Sequence, residues 1–98
     1  MDLKQLRYFL TIAEAGSIKA ASEQLYIAQP SLSQQMRRLE DELGVELLSR
    51  SARGVAPTEA GLQLMSYART ILDQVEEARD AVSAGSASPR GSARVGLP

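Results

Sequence analysis

Three amphipathic segments, each followed by a helix-ending or turn-forming stretch, occupy the N-terminal half of the chain. In the first, over residues 2–15, apolar side chains recur at the three- and four-residue spacing of one helix face. Asp2 is placed to cap the start of this helix and Gly16 to end it. The face that we expect to be buried consists of Leu3, Leu6, Leu10 and Ala13, widened by Phe9 and Ile12.

A short helix and a longer helix follow, joined by a tight connection over residues 26–29. Ser17 is placed to cap the short helix, which is predicted to end at about residue 26. Its inward-facing residues are Ile18, Ala21 and Leu25. Pro30 suits the first position of the longer helix, predicted over residues 30–43 and ended by Gly44. The buried stripe of the longer helix, again at four- and three-residue spacing, is Leu32, Met36, Leu39 and Leu43.

Residues 45–57 change from helical to strand-like patterning. Residues 45–50 predict a short strand, and residues 51–54 predict a turn in which Gly54 can take a positive φ. Residues 55–57 predict a returning strand that ends at Pro57. The three helices are therefore expected to carry a two-stranded hairpin, or wing.

A long helix is predicted from Thr58, a suitable N-cap, to about residue 84, with Gly85 at its end. Its apolar positions form a heptad seam: Leu64, Ala68, Ile71, Val75, Ala78 and Val82. A helix of about 26 residues is roughly 39 Å long, more than the front domain is expected to cover. The seam can pack on its own domain or on a second copy of the chain. Its regularity and length favour a homodimer.

Composition narrows the classes of function. The chain has no cysteine and no histidine, which excludes disulfides and thiolate metal sites and removes the commonest general base. We find no pair of nucleophile and base, so we expect no enzymatic activity. The apolar runs are too short to span a membrane and the N-terminus lacks an apolar signal core, so a cytoplasmic location is expected.

The net charge of −1 hides an uneven distribution of charges. Residues 1–57 carry seven basic and seven acidic side chains, whereas residues 58–84 carry two basic and five acidic ones. Four of the basic side chains in the front domain fall between residues 37 and 53. Local clustering of this kind, and not the total charge, indicates a surface for DNA.

A short helix, a tight turn and a longer helix with a polar outer face are the parts of a helix-turn-helix. In that motif the second helix enters the major groove of DNA and presents its N-terminal residues to base edges. Gln34 can bond bidentately to adenine, and Arg37, about one turn further on, can bind guanine or a phosphate. Ser31 and Ser33 offer short hydroxyl groups to phosphates or bases.

The wing adds two arginines. Arg53, beside a glycine at the predicted tip, can reach the minor groove or the DNA backbone, and Arg50 can contact a phosphate or form a structural salt bridge. Taken alone, a helix face of serine, glutamine and arginine is more typical of a solvated surface than of a DNA contact, and so is Arg53. Arg38 is expected to pair with an acidic residue such as Asp41 or Glu42. The alternative function is a protein-interaction module that binds a partner through the heptad helix. It explains the neutral front domain and acidic helix, but not the polar helix begun by proline or the Arg-Gly wing.

Several short motifs of the chain match one known family in order and without gaps. They are Leu-Arg-Tyr-Phe at 6–9, Ala-Gly-Ser-Ile at 15–18, Ala-Gln-Pro-Ser-Leu-Ser at 28–33, Arg-Gly-Val at 53–55 and Pro-Thr-Glu-Ala-Gly at 57–61. With them, residues 1–84 resemble the N-terminal region of LysR-type transcriptional regulators. Two positions depart from the family pattern. Position 34 is often basic or polar in the family, and Gln34 here reduces the positive charge; position 48 is often phenylalanine, and here it is Leu48.

The resemblance implies a mainly α fold, a winged helix-turn-helix with a long C-terminal dimerisation helix. The domains would be a DNA-binding domain at 1–57, a linker helix at 58–84, and a flexible hinge at 85–98 leading to an effector domain absent from this chain. The implied DNA-contacting residues are Gln29, Pro30, Ser31, Ser33, Gln34, Arg37 and Arg53.

The expected function is therefore sequence-specific binding of an imperfectly palindromic double-stranded DNA by a homodimer, to regulate transcription. By resemblance, the effector domain often forms tetramers and binds a small-molecule inducer. We expect no cofactor in the chain itself.

Overall fold

The structure, a computed structural model, describes residues 1–87 of the chain. In chain order its elements are α1 (Leu3–Ala15), α2 (Ile18–Leu25), α3 (Gln29–Leu43), β1 (Leu48–Ser51), β2 (Gly54–Pro57) and α4 (Glu59–Ala87). The two strands pair antiparallel, with Leu48 opposite Pro57 and Ser51 opposite Gly54. The predicted fold, a mainly α winged helix-turn-helix with a long C-terminal helix, is confirmed.

The starts of α1 and α2 follow from their capping residues. The Asp2 carboxylate accepts a hydrogen bond from the Gln5 backbone N–H at 2.7 Å, and the Gln5 side chain accepts one from the Asp2 N–H at 3.3 Å. Ser17 Oγ accepts from the Ala20 N–H at 3.0 Å and so caps α2. Gly16 ends α1 with a φ of 74°, which glycine adopts without steric penalty. The predicted boundaries of α1 and α2 are correct to within one residue.

The core forms where α1, α2, α3 and the start of the wing meet. Its buried members are Phe9, Ile12, Ala21, Leu32, Met36, Leu39, Leu47 and Leu48. The predicted apolar faces are partly wrong, because Leu3 and Leu43 are 42% and 39% exposed. Both residues sit at a helix end, in the first turn of α1 and at the last residue of α3. The buried face of α1 is centred instead on Phe9 and Ile12, since α1 packs against α2, α3, α4 and β2.

The third helix begins one residue earlier than predicted, so Pro30 occupies its second position and Gln29 its first. Either position suits proline, because the first four N–H groups of a helix have no partner within it.

The first strand begins three residues later than predicted. Residues 45–47 instead form a connection, whose end is fixed by hydrogen bonds from the Leu47 and Leu48 N–H groups to the Glu40 carboxylate at 2.7 and 3.1 Å.

The long helix α4 starts as predicted but does not end at Gly85. Thr58 Oγ1 accepts a hydrogen bond from the Gly61 N–H at 3.1 Å and caps the helix, which continues through Gly85 to Ala87. A glycine inside a helix costs only about 1 kcal/mol relative to alanine, less than is needed to stop a long helix. The helix therefore extends three residues into the segment predicted as a hinge, 85–98, and the remainder of that segment lies outside the described residues.

Candidate nucleic-acid interface

The helix α3 turns one face into the core and the opposite face outward. Leu32, Met36 and Leu39 are fully buried and fix the rotation of the helix about its axis. The outward face carries the candidates from the sequence. Of these, Ser33 is half-buried, and the exposed ones are Gln29, Pro30, Ser31, Gln34 and Arg37. The structure thus brings the predicted α3 residues together on one side of the helix.

The N-terminal end of α3 differs from that of the other three helices in residues 1–87. Asp2, Ser17 and Thr58 each accept a hydrogen bond from a first-turn N–H of α1, α2 or α4. Ala28, the residue before α3, has no side-chain oxygen and makes no such bond. Within the described residues, the N–H groups of Gln29 and Ser31 therefore have no acceptor. Free N–H groups at a helix N-terminus attract anions such as phosphate.

A polar groove separates α3 from the first strand of the wing. Arg37 and Arg50 both line it, together with Glu40, Glu46, Leu48 and Ser49. Neither arginine forms an ion pair with any side chain that the structure describes. Among those residues, Arg50 therefore makes no structural salt bridge, which was the alternative to a phosphate contact. Both guanidinium groups are exposed and available to an external anion.

Arg38 does not make the ion pair predicted from the sequence. Among residues 1–87 its guanidinium has no carboxylate partner, and Glu42 instead pairs with the N-terminal amino group of Met1. The pairing with Asp41 or Glu42 is therefore wrong. Pairs between exposed side chains contribute little stability, so sequence spacing alone does not determine them.

The second strand of the wing is attached to the turn between α1 and α2. The Val55 N–H donates to the Gly16 carbonyl oxygen at 3.0 Å. Gly54 has a φ of 123°, and a Cβ there would overlap the same carbonyl oxygen. Glycine is thus required by close backbone approach as well as by the turn. Since this contact fixes the wing, the turn at residues 52–53 holds the exposed Arg53 at its tip.

Two residues at the interface were not predicted from the sequence. Glu40 connects α3 to the start of the wing by accepting hydrogen bonds from the Leu47 and Leu48 N–H groups, and no local pattern in the sequence assigns it that role. Tyr26 ends α2 in the left-handed conformation, with φ of 57°, and is 95% exposed. No local pattern marks a tyrosine for that conformation.

The heptad seam of α4 divides into two parts. Leu64 packs on the core of its own domain, and Ala68 is completely buried within the single chain. Further along, Ile71 and Val75 are half-buried, while Ala78 is exposed and Val82 is 71% exposed. The prediction that Ala68 contacts a partner is therefore corrected, because its side chain has no surface left to cover. The part from Ile71 to Val82 remains open.

Within residues 1–87, no three side chains of metal-ligating type lie close enough together to hold an ion. No helix in that part of the chain combines the length and apolar character needed to cross a membrane.

Comparison with known proteins agrees with this architecture. Residues 3–62 match the family model described as bacterial regulatory helix-turn-helix protein, lysR family. The nitrogen assimilation regulatory protein nac of Klebsiella aerogenes is 50% identical over 97 residues, which cover 99% of this chain and 32% of that protein. The chain thus spans about a third of the length of the curated relatives that it matches.

The similar solved structures include complexes with DNA. The CbnR DBD–DNA complex superposes with a TM-score of 0.83 at 42% identity, over 88% of this chain and 99% of that one. The BenM DBD/benA site 1 DNA complex gives a TM-score of 0.81 at 40% identity, over 85% and 96% of the two chains. On the family match and these identities, the chain belongs to the lysR family of bacterial regulatory helix-turn-helix proteins.

Proposed function

We propose that this chain binds double-stranded DNA sequence-specifically as a homodimer and thereby regulates transcription. The observation that carries the proposal is the N-terminal end of α3. Its free N–H groups, its exposed polar side chains and the arginines of the groove and wing are all directed toward solvent. The crystallised complexes of the similar CbnR and BenM domains with DNA support the same role.

In this proposal α3 enters the major groove with its N-terminal end first. Gln34 reads a base edge, and its amide is suited to bidentate bonding with adenine. Arg37, about one helical turn further on, binds guanine or a phosphate. Gln29, Ser31 and Ser33 bond to phosphates or bases beside the free N–H groups, and Pro30 contacts the DNA through its ring.

The wing arginines contact the DNA outside the bases read by α3. Arg50 shares a groove with Arg37, so both can bind the same stretch of phosphate backbone. Arg53 at the tip reaches the adjacent minor groove or backbone. The hydrogen bond between Val55 and Gly16 joins the wing to the turn between α1 and α2 and so helps to orient the wing.

Dimerisation follows from the open part of the α4 seam. Ile71, Val75, Ala78 and Val82 recur at four- and three-residue spacing and leave apolar surface for a second copy. A two-fold symmetric dimer reads an imperfect palindrome, because symmetric subunits present the same helix to each half-site. In the intact protein, we propose that tetramers and a small-molecule inducer involve a further domain, beyond this chain.

We propose that this chain has no catalytic role, binds no cofactor and acts in the cytoplasm, where a bacterial regulator meets its DNA.

The neutral charge of residues 1–57 and the acidic α4 favour a second candidate function, a module that binds a partner protein through α4. The two functions respond differently to salt. Each phosphate contact releases counterions, so the logarithm of DNA affinity falls linearly with the logarithm of salt concentration. An apolar helix pair responds weakly.

The test is a fluorescence-anisotropy titration of the 98-residue chain against random-sequence duplexes at several salt concentrations. We expect binding at low salt, with a log–log slope that becomes less negative by about 0.9 when a phosphate-contacting Arg50 is changed to Gln. The matched control is Arg79→Gln on α4, which should leave the slope unchanged. Absence of binding at low salt would reject the DNA-binding proposal and favour the interaction module.

A further inference from the structure

Tyr26 is an unusual residue for the position that it occupies. Among residues 1–87 it is the only non-glycine residue with a positive φ. It ends α2 as Gly16 ends α1 and Gly44 ends α3, with φ of 57°, 74° and 72° respectively. Glycine therefore fills the same left-handed position at the other two helix ends, where a side chain would be strained.

The tyrosine side chain gains no packing that offsets this strain. It is 95% exposed, more than any other large apolar or aromatic side chain that the structure describes. Its hydroxyl has no hydrogen-bond partner within residues 1–87. The backbone of Tyr26 caps α2 through its N–H, which bonds to the Ser22 carbonyl oxygen, but the side chain takes no part in that bond. Being exposed and without a hydrogen-bond partner among residues 1–87, the side chain is available to a partner outside the described chain.

The position of Tyr26 indicates what that partner is. It lies in the turn of the helix-turn-helix, three residues before Gln29 at the free N-terminal end of α3. In a helix-turn-helix bound to DNA, the second helix lies in the major groove and the first crosses the DNA backbone, and Tyr26 lies between the two. A phenol hydroxyl is an uncharged donor that suits a phosphate oxygen.

We infer that the Tyr26 hydroxyl donates a hydrogen bond to a backbone phosphate at the edge of the major groove. The inference rests on the proposed DNA binding and adds to it a contact that carries no charge. Such a contact strengthens binding to all sequences alike. It leaves the salt dependence unchanged, because no counterion is released by a neutral side chain.

The test compares Tyr26→Phe and Tyr26→Asn with the parent chain, using one duplex that the parent binds and one of scrambled sequence. Loss of the hydroxyl in Tyr26→Phe should weaken binding to both duplexes by about tenfold, with the log–log salt slope of the parent. Asparagine tolerates the left-handed conformation, so Tyr26→Asn should raise the melting temperature of the free protein while it weakens DNA binding. A purely structural role would move stability and binding in the same direction.

Tyr67→Phe is the matched control, because it removes the same hydroxyl from a 68% exposed tyrosine on α4 and should leave DNA affinity unchanged. Parental affinity in Tyr26→Phe would overturn the inference, as would a loss confined to one duplex, which indicates a base contact. Weaker self-association of Tyr26→Phe in light scattering would also overturn the inference, because it would indicate that Tyr26 lies at a subunit interface. Failure of the parent itself to bind any duplex would instead reject the proposed function.

Discussion

At the scale of single residues, loss of a contact to a base and loss of a contact that is independent of sequence should have different effects on DNA binding. Gln34 lies on the outward face of α3 and Arg53 at the wing tip, both exposed. Gln34→Ala should change base preference, because bidentate amide contacts discriminate between bases by about 1–3 kcal/mol. Arg53→Ala should weaken binding to all sequences alike. Sequencing of bound duplexes checks the first result, and unchanged preferences for Gln34→Ala would show that Gln34 does not read bases.

A second prediction concerns Gly61 in the first turns of α4. A Cβ at Gly61 would overlap the Leu47 carbonyl oxygen, which is backbone and cannot move aside easily. Gly→Ala inside a helix normally stabilises by about 1 kcal/mol. Here we expect Gly61→Ala to destabilise the fold by about 2 kcal/mol, as overpacking does. Urea denaturation measures the difference.

The control for Gly61→Ala is Ser66→Ala, an exposed substitution on the same helix that should change the free energy of unfolding by less than about 0.5 kcal/mol. If Gly61→Ala were as stable as the parent or more stable, α4 would not cross the Leu47 backbone as closely as the structure has it.

The sequence predicted the residues whose roles are local. The caps Asp2, Ser17 and Thr58 could be predicted because each bonds to an N–H group three residues along the chain. Glu40 could not, since its partners lie seven and eight residues away across the turn from α3 to the wing. Gly61 could not either, because its requirement comes from a carbonyl oxygen that only the tertiary fold brings near.

At the scale of elements, periodicity predicted the helices well and their packing less well. All four helices start within a residue of the predicted position, because apolar spacing and caps are local features. The exposure of Leu3 in the first turn of α1 was not predicted, since burial at a helix end depends on which neighbours cover it. The seam of α4 is regular in sequence, but only the tertiary structure separates the part used by the domain, which includes Ala68, from the part left open.

The open part of the seam yields a prediction about assembly. Ile71→Asp combined with Val75→Asp puts two carboxylates on the surface that we expect a second copy to cover. Burying unpaired charges is strongly unfavourable, so the variant should be a monomer in light scattering and should bind palindromic DNA more weakly. The fold of residues 1–57 should persist, as the core does not include either residue.

Thr70→Asp with Gln74→Asp provides the matched control, because both positions are exposed, lie on the same turns of α4 and fall outside the seam. This variant adds the same charge and should remain a dimer. A dimer that survives the change at Ile71 and Val75 would contradict the assignment of the seam as the subunit interface.

At the scale of the whole molecule, net charge is a poor guide and the distribution of charges a better one. The chain as a whole is slightly acidic, and five of its acidic residues lie on α4. Arg37, Arg50 and Arg53 lie on α3 and the wing and form no ion pair within residues 1–87. The sequence located these arginines, but only the structure brings Arg37 and Arg50 to one groove.

The length of α4 relates the dimer to the DNA that it can read. Its 29 residues span roughly 43 Å, so two copies joined along the open seam hold two copies of α3 at a fixed separation. Helix-turn-helix dimers bind half-sites one helical turn apart, about 34 Å, or a multiple of it. Two-fold symmetry of the protein should therefore appear as two-fold symmetry of the DNA site.

The measurement that tests the central claim most directly is selection of bound sequences from a random duplex pool by the 98-residue chain at moderate salt. We predict enrichment of an imperfect palindrome whose half-site centres are separated by whole helical turns, with an enriched base that changes in Gln34→Ala. A pool that stays random, although the chain binds it in a salt-sensitive manner, would contradict sequence-specific recognition by a symmetric dimer of this chain.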